Sequence, residues 1–348
     1  MKNFPWLWCR FGALVLFSFV SVSGLAGKQD GRLDIYWIDV VGGAATLMVT
    51  PAGESVLVDT GMPRERDVGR IEACLRDIAG LDHLDHLIIS HYDLDHYGGA
   101  AQLAERIPVV NLFDNGRFPG MRNDPGEAYF GLPAEQKYVL DPGDTVPLQQ
   151  ATGTARIKLK CLATRMDFIS APKEARSNPV DCSMVRGVPT DQSENANSMV
   201  LLLSFGKFEF FNATDLTWNL EAKLVCPDNL VGQVDVYQTT HHGLDRSNNP
   251  VVLEALQPCV AVMNNGPTKG CQPEMVAALR ATPSIEAIYQ MHRNQRPDGH
   301  LNNTEPELIA NTEAGKSGNI IKLSVDPSGR SYHVEIPATG HRRRFQVR

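Results

Sequence analysis

Ser90-His91-Tyr92-Asp93-Leu94-Asp95-His96-Tyr97-Gly98-Gly99 is the stretch that decides the fold, because it places two histidines and two carboxylates within six residues. It follows the apolar run Leu87-Ile88-Ile89, which is typical of a short buried strand. The four polar side chains are therefore expected where a strand ends and the backbone turns. Imidazole nitrogens and carboxylate oxygens suit a borderline cation such as Zn²⁺. The stretch predicts a metal site; the alternative is a solvated acidic loop before a helix.

The same stretch resembles the His-x-His-x-Asp-His signature of the metallo-β-lactamase superfamily, with Asp93 in place of the second histidine. The variant His-x-Asp-x-Asp-His followed by Gly-Gly is most similar to the metallo-hydrolase domain of ComEC-type competence proteins and their free-standing relatives. The resemblance covers roughly residues 33–295 and implies an α+β fold, a four-layer αββα sandwich. Hydrophobic periodicity agrees, since a hairpin at 45–50 and 55–58 precedes a helical pattern over Glu65–Ala79.

The resemblance also implies roles for residues in distant segments. A hairpin that opens at Asn197-Ser198 leads to Asp215, which would bridge two metal ions; without the resemblance, Asp215 would be interpreted as a helix N-cap. A later strand ends in His241-His242-Gly243, where His241 is favoured as the ligand and His242 would orient substrate or donate a proton. The resulting site has the metal ligands His91, Asp93, Asp95, His96, Asp215 and His241, the catalytic residues Asp95 and His242, and the supporting residues Asp59, Asn197 and Ser198.

These ligands divide between two ions. The resemblance implies that Asp95, His96 and Asp215 hold one ion together with a histidine of the pair. His91 and Asp93 would hold a second ion with the same bridging carboxylate. The superfamily usually has another histidine between the central stretch and that carboxylate, and this chain has none there. We therefore expect one or two Zn²⁺ ions, the second weak, water-completed or missing, and a carboxylate-rich site also admits Mn²⁺.

Composition separates both ends of the chain from the middle. In residues 1–26 a short positive region precedes the apolar run Phe11–Val22, about a dozen residues and too short to span a bilayer comfortably. We expect a cleaved signal peptide and an exported, periplasmic or extracellular protein without stable membrane insertion; the alternative is an uncleaved anchor. Residues 27–348 would form the hydrolase domain. Its C-terminal extension, from about residue 300 to 348, is expected to add a hairpin at a sheet edge and to end in a solvated basic tail.

Residues 115–195 interrupt the regular pattern with frequent glycine and proline, and one strand is predicted inside them, over Arg156–Leu162. Long connections of this kind are usually lids or binding loops, so this insertion is expected to wall the site and set the substrate. Arg117, Arg122 and Tyr129 within it are more typical of surface residues than of anion contacts.

Six cysteines remain after removal of the signal peptide, and an even number in an exported chain permits disulfides. Cys161–Cys182 could close the insertion and Cys259–Cys271 could pin a loop near the site, although the sequence does not fix the pairing.

Three functional hypotheses follow. Without Lys2 and Arg10 the chain has 31 basic against 40 acidic residues, a net charge of −9, which argues against non-specific nucleic-acid binding over the whole surface. The first hypothesis is a hydrolase that uses a metal-activated water on a phosphoester of a small molecule, nucleotide or nucleic acid. The second is a metallo-hydrolase of a lactam, lactone or thioester. The third is a non-catalytic binding protein on the same fold. The sequence identifies no protein partner.

Overall fold

The computed structural model describes residue 1 and residues 30–171, 180–185, 188–313 and 317–348, so the expected signal peptide, apart from Met1, lies outside the described residues. Within the described part, no helix is both long and apolar enough to cross a bilayer. The strands are β1 (Leu33–Trp37), β2 (Thr46–Val49), β3 (Ser55–Val58), β4 (Leu84–Ile88), β5 (Val109–Asp114), β6 (Gln136–Val139), β7 (Thr145–Val146), β8 (Ile157–Thr164), β9 (Asp167–Phe168), β10 (Val200–Phe205), β11 (Phe208–Asn212), β12 (Val236–Gln238), β13 (Val260–Met263), β14 (Ala287–His292), β15 (Ile309–Asn311), β16 (Ile321–Val325), β17 (Ser331–Ile336) and β18 (His341–Gln346). The helices are α1 (Glu65–Ala73, continued by a π-turn over Cys74–Ile78), α2 (Leu94–Tyr97), α3 (Ala100–Ala104), α4 (Gly126–Phe130), α5 (Trp218–Ala222), α6 (Pro250–Leu256), α7 (Pro273–Ala281) and α8 (Gly299–Asn302).

The strands form two sheets. The first has the order β18-β17-β16-β1-β2-β3-β4-β5-β6, and the second β15-β14-β13-β12-β11-β10-β8-β7, with β9 paired to β8. Strands β3 to β6 are parallel, and so are β11 to β15. The carboxyl ends of parallel strands meet at one edge of a sheet, and polar residues follow β3, β4, β11 and β12 there.

Apolar side chains fill three layers between the elements. The inner faces of the two sheets pack on each other through residues such as Trp37 and Phe210. Helices α1 and α3 cover the outer face of the first sheet through Val68 and Leu103, and α5 to α7 cover that of the second. Burial on both faces explains the continuous apolar runs that precede the site residues. The predicted four-layer αββα sandwich is therefore confirmed.

The insertion contains the one strand predicted for it, as β8, and further regular structure that its composition did not indicate. Strand β6 extends the first sheet and the eight-residue β8 joins the second, pairing with β10. At the other end of the chain, the expected solvated tail is strand β18, which pairs with β17 from Ser331↔Gln346 to Ile336↔His341. The C-terminal extension thus adds three strands to the first sheet, where the sequence predicted a hairpin.

The disulfide joins Cys182 to Cys226, and both suggested pairings were wrong. Cys161 lies in the core between the sheets, whereas Cys226 packs at the outer face of the second sheet. Cys259 also belongs to the inner core, and Cys271 is buried in the outer layer, where its thiol donates to Asn302 O at 2.7 Å. The layers that separate these thiols prevent the pairings that linear spacing suggested.

Candidate metal centre

Four ligand groups converge at the edge where the parallel strands end. The atoms offered by Asp95, His96, Asp215 and His242 all lie within 4.8 Å of one another. His96 Nε2 is 3.1 Å from Asp215 Oδ2 and 3.6 Å from Asp95 Oδ2. His242 Nε2 is 3.3 Å from the same oxygen of each carboxylate. Asp95 and His96 follow the first sheet's β4, and the other two follow strands of the second sheet, so each sheet supplies half of the group.

The unpaired ring nitrogens fit a cation. The Nε2 atoms of His91, His96 and His242 are buried and make no hydrogen bond within the described ranges. A buried polar group without a partner costs on the order of 1–3 kcal/mol, so several of them beside two carboxylates fit a shared positive ion. Two imidazoles and two carboxylates form a donor set suited to Zn²⁺ or Mn²⁺.

Asp59 organises the histidines of the central stretch. It follows β3 in the left-handed region, with φ 63°, and its Oδ2 accepts a hydrogen bond from His96 Nδ1 at 2.8 Å. Ser90 donates to the two Asp59 oxygens through its backbone N and its hydroxyl, both at 2.8 Å, and the hydroxyl lies 3.0 Å from His91 Nδ1. A partner on Nδ1 fixes the ring orientation and presents Nε2 as the ligand atom.

The structure places His242, not the favoured His241, in the group of four. The reason is the backbone after β12, where both histidines adopt the left-handed region, with φ 56° and 55°. On a regular strand the two rings would point to opposite faces. In this turn the rings of both histidines reach the Asp215 carboxylate, since His241 Nε2 is also only 3.5 Å from Asp215 Oδ2. The other ring nitrogens are held by Ser247 Oγ, 3.2 Å from His241, and Asn264 O, 3.3 Å from His242.

His91 and Asp93 form a smaller pair beside this group. His91 Nε2 is 3.6 Å from Asp93 Oδ2, and its ring centroid is 4.1 Å from that of His96. The other oxygen of Asp93 accepts a hydrogen bond from Asn123 Nδ2 in the insertion. Among the described residues, His91 and Asp93 both lie outside the four-group cluster. The ligands assigned from the sequence therefore separate into one compact group and a neighbouring pair.

Asn197 and Ser198 lie behind the central stretch. Asn197 Nδ2 donates to Glu194 Oε2 at 3.1 Å, and the buried Glu194 carboxylate also accepts from the backbone N of Tyr92 and of Arg122. The Ser198 hydroxyl is buried and has no hydrogen-bond partner in the described part of the chain. Glu194 thus joins the insertion to the metal-binding loop, a role that no sequence pattern indicated.

Charge at the centre is concentrated on the carboxylates. Burial opposes ionisation of Asp215, but His242, His96 and His241 around it hold its pKa well below the usual range. Burial also opposes ionisation of Asp95, and neighbouring positive groups, including Lys269, lower its pKa. Both side chains are therefore anionic at neutral pH and attract cations.

Lys269 was missed by the sequence analysis. Its Nζ donates to Asp95 Oδ2 from the loop that follows β13. The surrounding Gly-Pro-Thr-Lys-Gly has no periodicity or motif, and the contact spans 174 residues, so only the folded chain reveals it. Ser90, by contrast, offered a positional signal as the residue directly before His91.

Comparison with known proteins agrees with this geometry. Residues 38–154 match the family described as the metallo-beta-lactamase superfamily. The matched segment includes the central stretch Ser90–Gly99. Over 265 residues the chain is 26% identical to Recombination protein 2 of Haemophilus influenzae, with 74% of this chain and 27% of that protein covered. It is 27% identical over 266 residues to Competence protein ComA of Neisseria gonorrhoeae, covering 75% of this chain and 30% of that protein.

The chain thus spans less than a third of the length of these two curated relatives. The predicted resemblance to ComEC-type competence proteins is confirmed as distant homology. Among solved structures, Zn²⁺-bound PqqB from Methylobacterium extorquens is 14% identical with a TM-score of 0.41, covering 72% of this chain and 85% of that one.

Proposed function

We propose that the protein is an exported metal-dependent hydrolase of a phosphoester, with a phosphodiester of a nucleotide or nucleic acid as the favoured substrate. The proposal rests on the convergence of Asp95, His96, Asp215 and His242, in which buried ring nitrogens lie beside two carboxylates. The relatives named for recombination and competence favour a phosphodiester substrate. The disulfide Cys182–Cys226 agrees with an oxidising compartment and hence with export.

Each residue of the site has a defined part in this proposal. A divalent cation held by the four groups would supply Lewis acidity and a bound water of lowered pKa. Asp59 and the Asn264 carbonyl hold the rings of His96 and His242 so that Nε2 is presented. Asp95 stays ionised and can orient the attacking water.

His241 replaces His242 as the histidine available for the substrate. Burial lowers the pKa of His241 to about 4, with the nearby Lys269 ammonium acting in the same direction and the Asp215 carboxylate opposing the shift, so its ring is neutral at physiological pH. A neutral ring beside Asp215 can orient the substrate or accept a proton from it.

The test combines elemental analysis with turnover. The mature protein, loaded with Zn²⁺ or Mn²⁺, is assayed with bis-p-nitrophenyl phosphate and nitrocefin, and Asp215→Ala is compared with Asp77→Ala, which changes an exposed aspartate in the turn after α1. We expect phosphodiester cleavage that Asp215→Ala abolishes and Asp77→Ala retains. Nitrocefin cleavage alone would indicate a carbonyl hydrolase. Absence of both metal and turnover would leave a binding protein.

A further inference from the structure

A cationic side chain reaches the carboxylates of the metal centre. Lys269 Nζ donates to Asp95 Oδ2, the oxygen that lies 3.3 Å from His242 Nε2 and 3.6 Å from His96 Nε2. The Lys269 side chain is 37% exposed, whereas the two histidine side chains are fully buried. The Lys269 side chain therefore connects the solvent with the buried ligand atoms.

The backbone around Lys269 is held in place. The Arg296 guanidinium donates to the carbonyl oxygens of Gly270 and of Cys271, the latter at 2.9 Å, and to that of Thr268 at 3.3 Å. These carbonyls flank Lys269 on both sides, so one guanidinium fixes the backbone that carries the lysine. The ammonium is therefore anchored over the centre on a supported loop.

Backbone packing sets the distance between this loop and the metal ligands. A Cβ added to Gly266 would lie 3.0 Å from Gly42 Cα, and one added to Gly43 would lie 2.6 Å from the Asp95 carbonyl oxygen. The loop after β13, the turn after β1 and the central stretch are thus in close backbone contact. Glycine at these positions lets Lys269 reach Asp95.

The charge balance indicates what Lys269 binds. A cation in the centre would share the Asp95 oxygen and weaken its attraction for the ammonium. A partly exposed lysine–carboxylate pair is worth little by itself, so the ammonium can exchange it for a charge-assisted hydrogen bond to a phosphoryl oxygen at little cost. We propose that Lys269 binds an anionic non-bridging oxygen of a phosphoryl group at the metal centre, an inference that rests on the proposed phosphoester function.

The experiment measures binding without turnover. Inorganic phosphate is titrated calorimetrically into the full chain loaded with Mn²⁺, using the parent, Lys269→Met, Lys269→Arg and the control Lys207→Met. Lys207 lies in the turn between β10 and β11, at the opposite end of β11 from Asp215. For Lys269→Met we expect the parental metal content and a phosphate Kd raised about tenfold or more. Lys269→Arg should recover part of the affinity because it keeps the charge, and Lys207→Met should match the parent.

Every other outcome contradicts either this inference or the proposed function. A phosphate Kd for Lys269→Met within about twofold of the parent would overturn the inference, and so would a parent that binds no phosphate. Reduced metal content in Lys269→Met would show that the lysine supports the ligands instead, which also overturns it. A parent that binds phosphate through Lys269 but cleaves no phosphodiester would contradict the proposed function alone. Phosphodiester cleavage with unchanged phosphate binding in Lys269→Met would contradict this inference alone.

Discussion

Asp59 links the two histidines of the central stretch without being one of the four converging groups. Its carboxylate accepts hydrogen bonds from Ser90 and from His96 Nδ1, so it sets which nitrogen of His96 faces the centre. In Asp59→Asn the amide would present a donor to His96, and the ring would have to reorient. We expect metal affinity to fall about 10–100-fold, measured by competition with a chromophoric chelator. Asp77→Asn serves as the control, and an unchanged affinity in Asp59→Asn would assign the carboxylate a purely structural role.

Glu221 is a buried carboxyl group whose ionisation opposes folding. Burial raises its pKa from 4.5 to about 7, so the folded state holds its proton more tightly than the unfolded chain. The destabilising effect of Glu221 is therefore absent below its pKa in the unfolded chain. It develops between the pKa values of the unfolded and folded states, and it is complete above the folded-state pKa, where it reaches about 3 kcal/mol. Glu221→Gln should remove this dependence. The Tm of the variant relative to the parent should rise between about pH 5 and pH 8, and a constant difference would contradict the assignment.

The sequence predicts some residues of the site and fails to predict others. Four of the residues assigned from the sequence, Asp95, His96, Asp215 and His242, do converge, because their motifs lie at strand ends that the fold brings together. The choice of His242 over His241 depends on two left-handed backbone conformations, which the residue types do not specify. Lys269 depends on a tertiary contact with no local signature.

Among the elements, the disulfide connects the insertion to the end of α5. Cys182 and Cys226 are 44 residues apart, and closing a loop of that size restricts the unfolded chain enough to stabilise the fold by about 3–4 kcal/mol. We expect dithiothreitol to lower the Tm of the parent by several degrees while metal content stays unchanged. The double variant Cys182→Ser/Cys226→Ser should melt at the lower temperature with or without reductant. A parent that melts identically in both conditions would contradict the expectation.

Elements differ in how well the sequence predicts them. Strand β3 has the predicted bounds, and α1 with its continuation covers the predicted helical pattern up to Ile78, because a buried strand and an amphipathic helix carry strong apolar patterns. Strand β6 was missed since all four of its residues are exposed, and β18 was missed since its arginines face solvent. Both are edge strands held by backbone pairing, which leaves little trace in side-chain hydrophobicity.

At the scale of the whole molecule, the metal centre joins the two sheets. Asp95 and His96 follow the first sheet, and Asp215 and His242 follow the second, so an ion bound by all four stabilises the packed arrangement over the unfolded chain. At a free metal concentration about 1,000 times the Kd, linkage predicts roughly 4 kcal/mol of added stability. We expect Zn²⁺ or Mn²⁺ to raise the Tm and a chelator to reverse the rise. Asp215→Ala should show neither response, and an equal response in that variant would locate the bound ion elsewhere.

The return of the C-terminal strands to the first sheet has a consequence for the nascent chain. Strand β1 pairs with β2 soon after synthesis, but its other neighbour, β16, is made only after all the strands of the second sheet. At roughly 5–20 residues per second, the free edge of this apolar strand stays open for on the order of 15–60 s. An unpaired apolar edge is a template for aggregation. The order of the strands therefore leaves one edge of β1 open to association with other chains until β16 has been made.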